Sequence, residues 1–161
     1  MKSKKVCDDL FKQAMACFPS GVAIVTTIDE SGQKFGFTAS AFSSLSLTPP
    51  LILVCLANNA DCFDNFNNQK QFAVNIIGPE HETLAFKFAT KGSDKFDGDE
   101  FEQGSYGLPI LSDSLVSLEC TTENIYFGGD HIILVGQVKY LNVNGGAPSV
   151  WHEGKFHQLN M

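Results

Sequence analysis

The sequence predicts a mainly β fold, an antiparallel β-barrel with two or three flanking helices. Short apolar segments rich in β-branched residues recur along the chain, and Gly-, Asn- and Asp-rich turns separate them. No internal repeat is visible, and 161 residues suit a single domain that spans 1–161. We therefore expect one compact unit of about six or seven strands.

Helix and strand patterns alternate in the first half of the chain. Apolar residues on one face predict a helix that Pro19 and Gly21 end, and the turn Asp29–Gly32 joins two strands as a hairpin. The apolar run Leu51–Ala57 predicts a buried strand. The predicted elements are a helix over 8–18, strands over 21–28, 34–40, 51–57 and 72–77, and helices over 61–69 and 80–89.

The second half of the chain is predicted to be a long loop followed by strands. Residues 90–109 are rich in Gly, Asp and Phe, and long loops inside compact domains are often functional. Gly128–Gly129 and Asn144–Gly146 are turns between strands. The strands are predicted over 115–127, 132–143 and 150–159.

Charge and cysteine content exclude several classes of protein. A net charge of -7 argues against nucleic acid as a partner, because phosphate binding needs clustered Lys and Arg. Five cysteines without a C-x-x-C pair favour a reducing compartment, and Cys55 and Cys120 are expected to be buried thiols. No signal peptide or membrane-spanning run is visible, so we expect a cytoplasmic protein without a membrane partner.

A hydroxyl-rich stretch from Thr38 to Thr48 precedes Pro49–Pro50. Six of its eleven residues carry a hydroxyl, and small neighbours would let a flat ligand approach the backbone. The alternative is a plain Ser-rich loop between two strands, since a Ser run alone is not specific. Both interpretations stay open on composition.

Two histidine segments are further candidates. His131 follows Gly128–Asp130, where it either lines a cleft or is an ordinary surface residue. His152 and His157 flank Glu153, but no third ligand accompanies them, so we expect no metal site and a hairpin with polar tips remains the alternative. The chain also lacks the G-x-G-x-x-G and G-x-S-x-G patterns.

Taken in order, several segments resemble the flavin reductase family with the split-barrel flavin-binding fold. These are the small reductase components of two-component flavin-dependent monooxygenases, and the similarity covers about Phe11 to Leu159. The segments that carry it are Phe18–Thr27, Gly36–Leu51, Phe72–Asn75, Gly129–His131 and Trp151–His157.

The resemblance implies a split β-barrel of Greek-key-like topology that forms a homodimer. It also implies that the chain binds FMN or FAD, oxidises NADH or NADPH, and passes reduced flavin to a partner monooxygenase. The cofactor-binding residues that it implies are Thr38, Ala39, Ser40, Ala41, Ser43, Ser44, Ala57, Asn58, Cys62, Phe88, Lys95 and His152.

His131 matches a family histidine near the nicotinamide, where it would orient the carboxamide or balance charge on the reduced flavin. Ala60 and Cys62 stand where the family usually supplies a Ser and a Thr to the flavin phosphate. This departure shifts polar contacts toward the hydroxyl stretch and Lys95. Two other functions fit the same residues, a flavin store or electron carrier without nicotinamide turnover and a plain β-barrel interaction domain.

Overall fold

The computed structural model describes residues 4–159, and their architecture is mainly β with antiparallel sheets. The helices are α1 (Asp8–Ala16), α2 (Phe63–Asn68) and α3 (Glu82–Ala89), the last preceded by a 3₁₀ turn at Pro79–His81. The strands are β1 (Ser20–Gly21), β2 (Ala23–Ile28), β3 (Lys34–Ala39), β4 (Phe42–Ser46), β5 (Leu51–Ala57), β6 (Gln71–Ile76), β7 (Phe101–Gln103), β8 (Pro109–Leu111), β9 (Val116–Gly128), β10 (His131–Val143), β11 (Ser149–His152) and β12 (Lys155–Gln158).

Seven strands form the main sheet in the order β3-β2-β6-β9-β10-β5-β4. All neighbours are antiparallel, and the β9–β10 hairpin pairs from His131 opposite Gly128 to Val143 opposite Val116. β1, β11 and β12 form a second sheet, and β7 pairs with β8. The long hairpin therefore joins the two halves of the main sheet.

One apolar core draws on strands from opposite sides of the main sheet. Phe37 on β3 belongs to the same buried cluster as Val54 and Leu56 on β5, although four strands separate β3 from β5 in the sheet order. Phe66 on α2 is also buried there, with its ring centroid 4.9 Å from that of Phe37. A flat sheet could not bring β3 and β5 together, so the sheet curls around this core.

Helix α3 packs closely on strand β3. A Cβ atom built at Gly36 would lie 2.6 Å from Cε1 of Phe88, so only glycine fits beneath that ring. One helical turn before Phe88, the carbonyl oxygen of Ala85 accepts a hydrogen bond from the Thr38 hydroxyl at 2.6 Å. These two contacts fix the side of the sheet on which α3 lies.

The predicted helices and most predicted strands are confirmed, with four differences. Part of the hydroxyl-rich stretch is β4, because Phe42–Ser46 pairs with β5. The predicted loop 90–109 contains β7 and the first residue of β8. The predicted strand 150–159 is the β11–β12 hairpin, since Gly154 allows a turn with φ +75°. No residue of α1 is buried, and its apolar Phe11 is 55% exposed.

The thiols of Cys120 and Cys55 differ in burial. Cys120 is fully buried, and its loss of water together with the charge of neighbouring Glu119 raises the pKa of its thiol to about 12. The prediction that Cys55 is buried is wrong, because its side chain lies on the outer face of β5 and is only half-buried. Among residues 4–159, no helix combines the length and the apolar character needed to cross a membrane.

Glu119 is a buried carboxylate that anchors the loop before β8. Its two oxygens accept backbone hydrogen bonds from Ser105 at 2.8 Å and from Tyr106 at 2.7 Å. Charge-assisted bonds of this kind are stronger than neutral ones. The loop is therefore held to β9 by one side chain.

Replacing Glu119 with Gln is expected to lower the free energy of unfolding by about 1–3 kcal/mol, because the amide group offers one acceptor oxygen where the backbone N–H groups of Ser105 and Tyr106 each bond to a carboxylate oxygen. Urea denaturation followed by circular dichroism measures this. Glu123→Gln is the matched control, since Glu123 is exposed on the same strand and its change should stay within about 0.5 kcal/mol. Equal losses for both variants would contradict the anchoring role.

Candidate functional site

Three adjoining cavities form a continuous groove beside β3 and α3. The middle cavity, of about 220 Å³, shares Thr38 and Ala89 with one neighbour and Asp61, Cys62 and Lys95 with the other. We call the first neighbour, of about 190 Å³, the aromatic end, and the second, of about 310 Å³, the distal cavity. The groove can therefore hold one elongated ligand.

The middle cavity lies where β5 ends and the chain turns toward α2. Its walls come from β3, the end of β5, the loop before α2, and the end of α3 with the residues that follow. The lining residues with small side chains are Ala57, Ala60 and Ala89. Their small side chains would let a ligand approach the backbone at these positions.

Two lysines give the middle cavity a local positive charge. Nζ of Lys95 donates a hydrogen bond to the Gly36 carbonyl at 3.0 Å, and Nζ of Lys91 donates to the Asn59 carbonyl at 2.6 Å. Asp61 is the one carboxylate in this lining, and it accepts the backbone N–H of Gly92 at 2.7 Å. Each ammonium has two further N–H groups, so the pair can bind an anion in a chain of net charge -7.

The aromatic end is formed by α3 and the β11–β12 hairpin. Trp151 and Phe156 face each other across the hairpin with ring centroids 4.9 Å apart, and Phe86 lies 5.3 Å from Phe156. Phe86 remains 54% exposed although it is a large apolar side chain. Such a surface favours a flat apolar ring as its ligand.

The hydroxyl-rich stretch contributes unevenly to the groove. Thr38 and Ser40 line it, whereas the side chain of Ala39 lies in the apolar core, so Ala39 can reach a ligand only through its backbone. Three other predicted residues lie outside the lining of all three cavities, namely Ala41, Ser43 and Ser44. The Ser43 hydroxyl instead donates to the Ser44 carbonyl at 3.0 Å.

Ala57, Asn58 and His131 are brought together at the end of β5. Ala57 lines the middle cavity and stands directly opposite His131 in the β5–β10 register. Paired residues of antiparallel strands point to the same face, so the imidazole lies on the face of Ala57. Asn58 holds the turn before β10, because its amide donates to the Gly129 carbonyl at 3.3 Å and its backbone N–H to the Asp130 carbonyl at 2.9 Å.

The His131 ring is oriented by its neighbour. Nδ1 of His131 lies 2.7 Å from a carboxylate oxygen of Asp130. This hydrogen bond lowers the pKa of the Asp130 carboxyl, which therefore stays ionised at neutral pH. Nε2 is thus the ring nitrogen that is available to a ligand. The residue lies beside the groove, since His131 is absent from the lining of the three cavities.

Cys62 lines both the middle and the distal cavity, but it is not an activated thiol. It is 4% exposed, and this burial raises the pKa of its thiol, although the nearby Lys95 charge opposes the shift. The thiol is therefore protonated at neutral pH and is a weak hydrogen-bond donor at most. Ala60 has no polar side-chain atom, so the two positions offer little to a phosphate.

The remaining predicted residues are Phe88, Lys95 and His152, and they do not lie together. Phe88 is 1% exposed and forms the inner wall of the middle cavity, with Lys95 beside it. His152 lies on the β11–β12 hairpin with its ring 5.7 Å from that of His157, outside the lining of the three cavities. Between residues 4 and 159, no three His, Cys, Asp or Glu side chains come together to hold a metal ion.

Sequence reasoning missed the aromatic end and Lys91. Trp151 and Phe156 belong to the segment Trp151–His157 that carries part of the family resemblance, but only the fold shows that they line a cavity with Phe86. Lys91 lay in a predicted loop, and only the end of α3 directs it to the middle cavity. Phe86 lies on α3 among the buried residues Leu84, Ala85 and Phe88, and its exposure is visible only in the folded chain.

The chain matches the family described as flavin reductase like domain over residues 15–160. It is 43% identical to the actinorhodin polyketide dimerase of Streptomyces coelicolor, over 93% of this chain and 85% of the relative. It is 35% identical to the NADH:riboflavin 5'-phosphate oxidoreductase of Streptomyces pristinaespiralis, over 91% of this chain and 85% of the relative. The HsaB reductase subunit of a flavin-dependent monooxygenase from Rhodococcus jostii is 32% identical, over 91% and 75%.

Solved structures show the same relationship. The flavin reductase PheA2 superimposes with a TM-score of 0.88 at 33% identity, over 97% of this chain and 100% of that one. The NADH:FAD oxidoreductase SgcE6 of Streptomyces globisporus, in complex with NAD and FAD fragments, gives 0.89 at 29% identity, over 98% and 97%. Another relative, from Rhizobium meliloti, is longer, and this chain spans 43% of its length. With a fold and a groove of this kind, and a family match that covers almost the whole chain, the protein belongs to the flavin reductase family.

Proposed function

We propose that this protein is an NAD(P)H:flavin oxidoreductase that reduces FMN or FAD and supplies the reduced flavin to a partner monooxygenase. The observation that carries the proposal is the groove, whose aromatic end and doubly cationic middle match a flat ring with a phosphate tail. Membership of the flavin reductase family supports the reaction class. The names of the Streptomyces pristinaespiralis and Rhodococcus jostii relatives support NADH, a flavin phosphate and a monooxygenase partner.

The residues of the groove fit a flavin in three respects. The aromatic end offers Trp151, Phe156 and Phe86 to an apolar ring. Ala57 and Ala60 line the middle cavity and place no bulky side chain where a ribityl chain would lie. Lys91 and Lys95 provide the positive charge that a phosphate requires.

A bound flavin supplies the ring that accepts the hydride, and the protein supplies position and shape. Hydride transfer between two cofactors depends on holding the reacting atoms at close distance and needs little side-chain acid or base. Lys91 and Lys95 would hold the phosphate tail, and Trp151, Phe156 and Phe86 would limit how far the ring can move. His131 lies beside Ala57, where its Nε2 can hold the nicotinamide carboxamide, and we assign it this positioning role. Ser40, Asn58 and His152 remain proposed contacts at the edges of the same groove.

Four further proposals accompany the function. The sheet is a split β-barrel, which the core shared by β3 and β5 supports, and residues 1–161 form one domain, which the match over 15–160 supports. The protein works in the cytoplasm, which buried free thiols such as Cys120 support. It forms a homodimer, because the β9–β10 hairpin exposes five large apolar side chains that a symmetric partner would cover, namely Tyr126, Phe127, Tyr140, Leu141 and Val143.

Anaerobic mixing with NADH or NADPH and either FMN or FAD is expected to bleach the yellow band of the flavin at a rate proportional to protein concentration. Absorbance near the flavin maximum measures this, with mixtures lacking protein as the control. A flavin that binds but stays oxidised would instead indicate a store or electron carrier. A protein without affinity for either flavin would indicate an interaction domain.

Replacing His131 with Ala is expected to raise the KM for the nicotinamide by about tenfold or more, because one hydrogen bond to the carboxamide is lost. Steady-state and single-turnover kinetics measure KM and the hydride-transfer rate separately. His157→Ala is the control, since His157 is exposed on β12 away from β10. Unchanged KM and transfer rate in the His131 variant would remove this residue from the mechanism.

Light scattering during size exclusion is expected to give twice the 17.5 kDa mass of one chain. The physical reason is the exposed apolar surface of the long hairpin, which costs free energy when it remains in contact with water. A mass of one chain at micromolar concentration would contradict the homodimer.

A further inference from the structure

We propose that the distal cavity binds the adenosine half of FAD, so that this protein prefers FAD to FMN. The inference rests on the proposed function and names the flavin that the groove selects. The distal cavity adjoins the middle cavity, and the two share Asp61, Cys62 and Lys95 as lining residues. A ligand whose phosphates lie at Lys95 therefore has space beyond them.

The charges of the distal cavity suit a neutral nucleoside. Its lining contains two lysines, Lys34 and Lys95, and two aspartates, Asp61 and Asp94, so their charges balance. A terminal phosphate monoester carries about -1.5 to -2 charges near neutral pH and is repelled by the two carboxylates. An adenosine beyond the phosphates brings no charge, and a carboxylate such as that of Asp94 can accept hydrogen bonds from the ribose hydroxyls.

Phe96 provides an aromatic surface for the base. Its ring is held by Phe88 and Phe101, with centroid distances of 5.1 Å and 5.0 Å. Phe96 itself lines the distal cavity, so part of its ring borders the cavity. Lys34 lines the same cavity, and its Nζ lies over the ring, 5.8 Å from the centroid, where a bound base would have to displace this flexible side chain. A purine can stack on a ring that is fixed in this way.

The groove thus has aromatic side chains at both ends and two lysines between them. Phe86, Trp151 and Phe156 lie at one end and Phe96 at the other, while Lys91 and Lys95 lie in the middle. FAD has this order of groups, since a flavin ring and an adenine flank a diphosphate. FMN would leave the distal cavity unused.

Binding without turnover tests the inference, because Trp151 is the only tryptophan of the chain and lies at the aromatic end. Quenching of its fluorescence by flavin gives Kd for FAD and for FMN in the absence of nicotinamide. We expect wild-type protein to bind FAD about tenfold more tightly than FMN, the effect of one base stacked on an aromatic ring. Equal affinities, or tighter binding of FMN, would overturn the inference.

Phe96→Leu keeps an apolar side chain against Phe88 but removes the aromatic face. It is expected to weaken FAD binding by about tenfold and to change FMN binding less than about twofold. Phe101→Leu is the matched control, because Phe101 belongs to the same ring cluster, in contact with Phe88 and Phe96, but does not line the cavity. A Phe96 variant that loses FAD and FMN affinity equally, as expected for a purely structural residue, would also overturn it.

Adenosine itself gives an independent readout. Added alone as a probe, it should compete with FAD for the wild-type protein and leave the Kd of FMN unchanged, since FMN and adenosine would occupy different cavities. Competition with both flavins or with neither contradicts the assignment. If FMN and FAD are both reduced but bind equally, only the FAD preference fails, whereas a protein that binds no flavin fails the proposed function itself.

Discussion

The groove depends on the close contact between helix α3 and strand β3. Gly36 has no side chain, and this absence lets the ring of Phe88 lie against the strand. The same contact places Ala85 within hydrogen-bond distance of Thr38. A side chain at position 36 would meet both the Phe88 ring and the Val25 carbonyl, so the helix would have to move away from the sheet. All three cavities are lined by α3 or by the residues that follow it.

The position of α3 also determines where the charges of the groove lie. Lys91 and Lys95 follow the helix closely, and their ammonium groups bind the backbone carbonyls of Asn59 and Gly36. These bonds hold the two long side chains in place before a ligand arrives, which reduces the entropy that binding would otherwise lose. A chain with a net negative charge thereby presents a local cationic site that can bind an anion.

The sequence predicted the elements well but carried no prediction of the strand order, for physical reasons. Leu51–Ala57 and Phe72–Ile77 were recognisable because buried strands are continuous apolar runs. β4 was hidden, since Phe42–Ser46 is an edge strand rich in serine, and its pairing with β5 comes from the fold rather than from composition. Of the candidate site, Thr38, Ala57 and Lys95 could be placed through family resemblance. The wall formed by Phe86 and Trp151 could not, because these residues are far apart in sequence and meet only in the folded chain.

The bond between Thr38 and Ala85 has a consequence for the ligand itself. A threonine hydroxyl has one proton, and Thr38 donates it to a backbone carbonyl, so towards the groove the oxygen can act only as an acceptor. An oxygen of a phosphate or of a ring carbonyl placed at Thr38 would face the lone pairs of the Thr38 hydroxyl oxygen with its own lone pairs, and no hydrogen bond could form. The group that belongs there carries its own hydrogen, such as the N–H of a flavin ring edge or a hydroxyl of the ribityl chain. Helix α3 therefore determines the polarity of the ligand edge that β3 accepts.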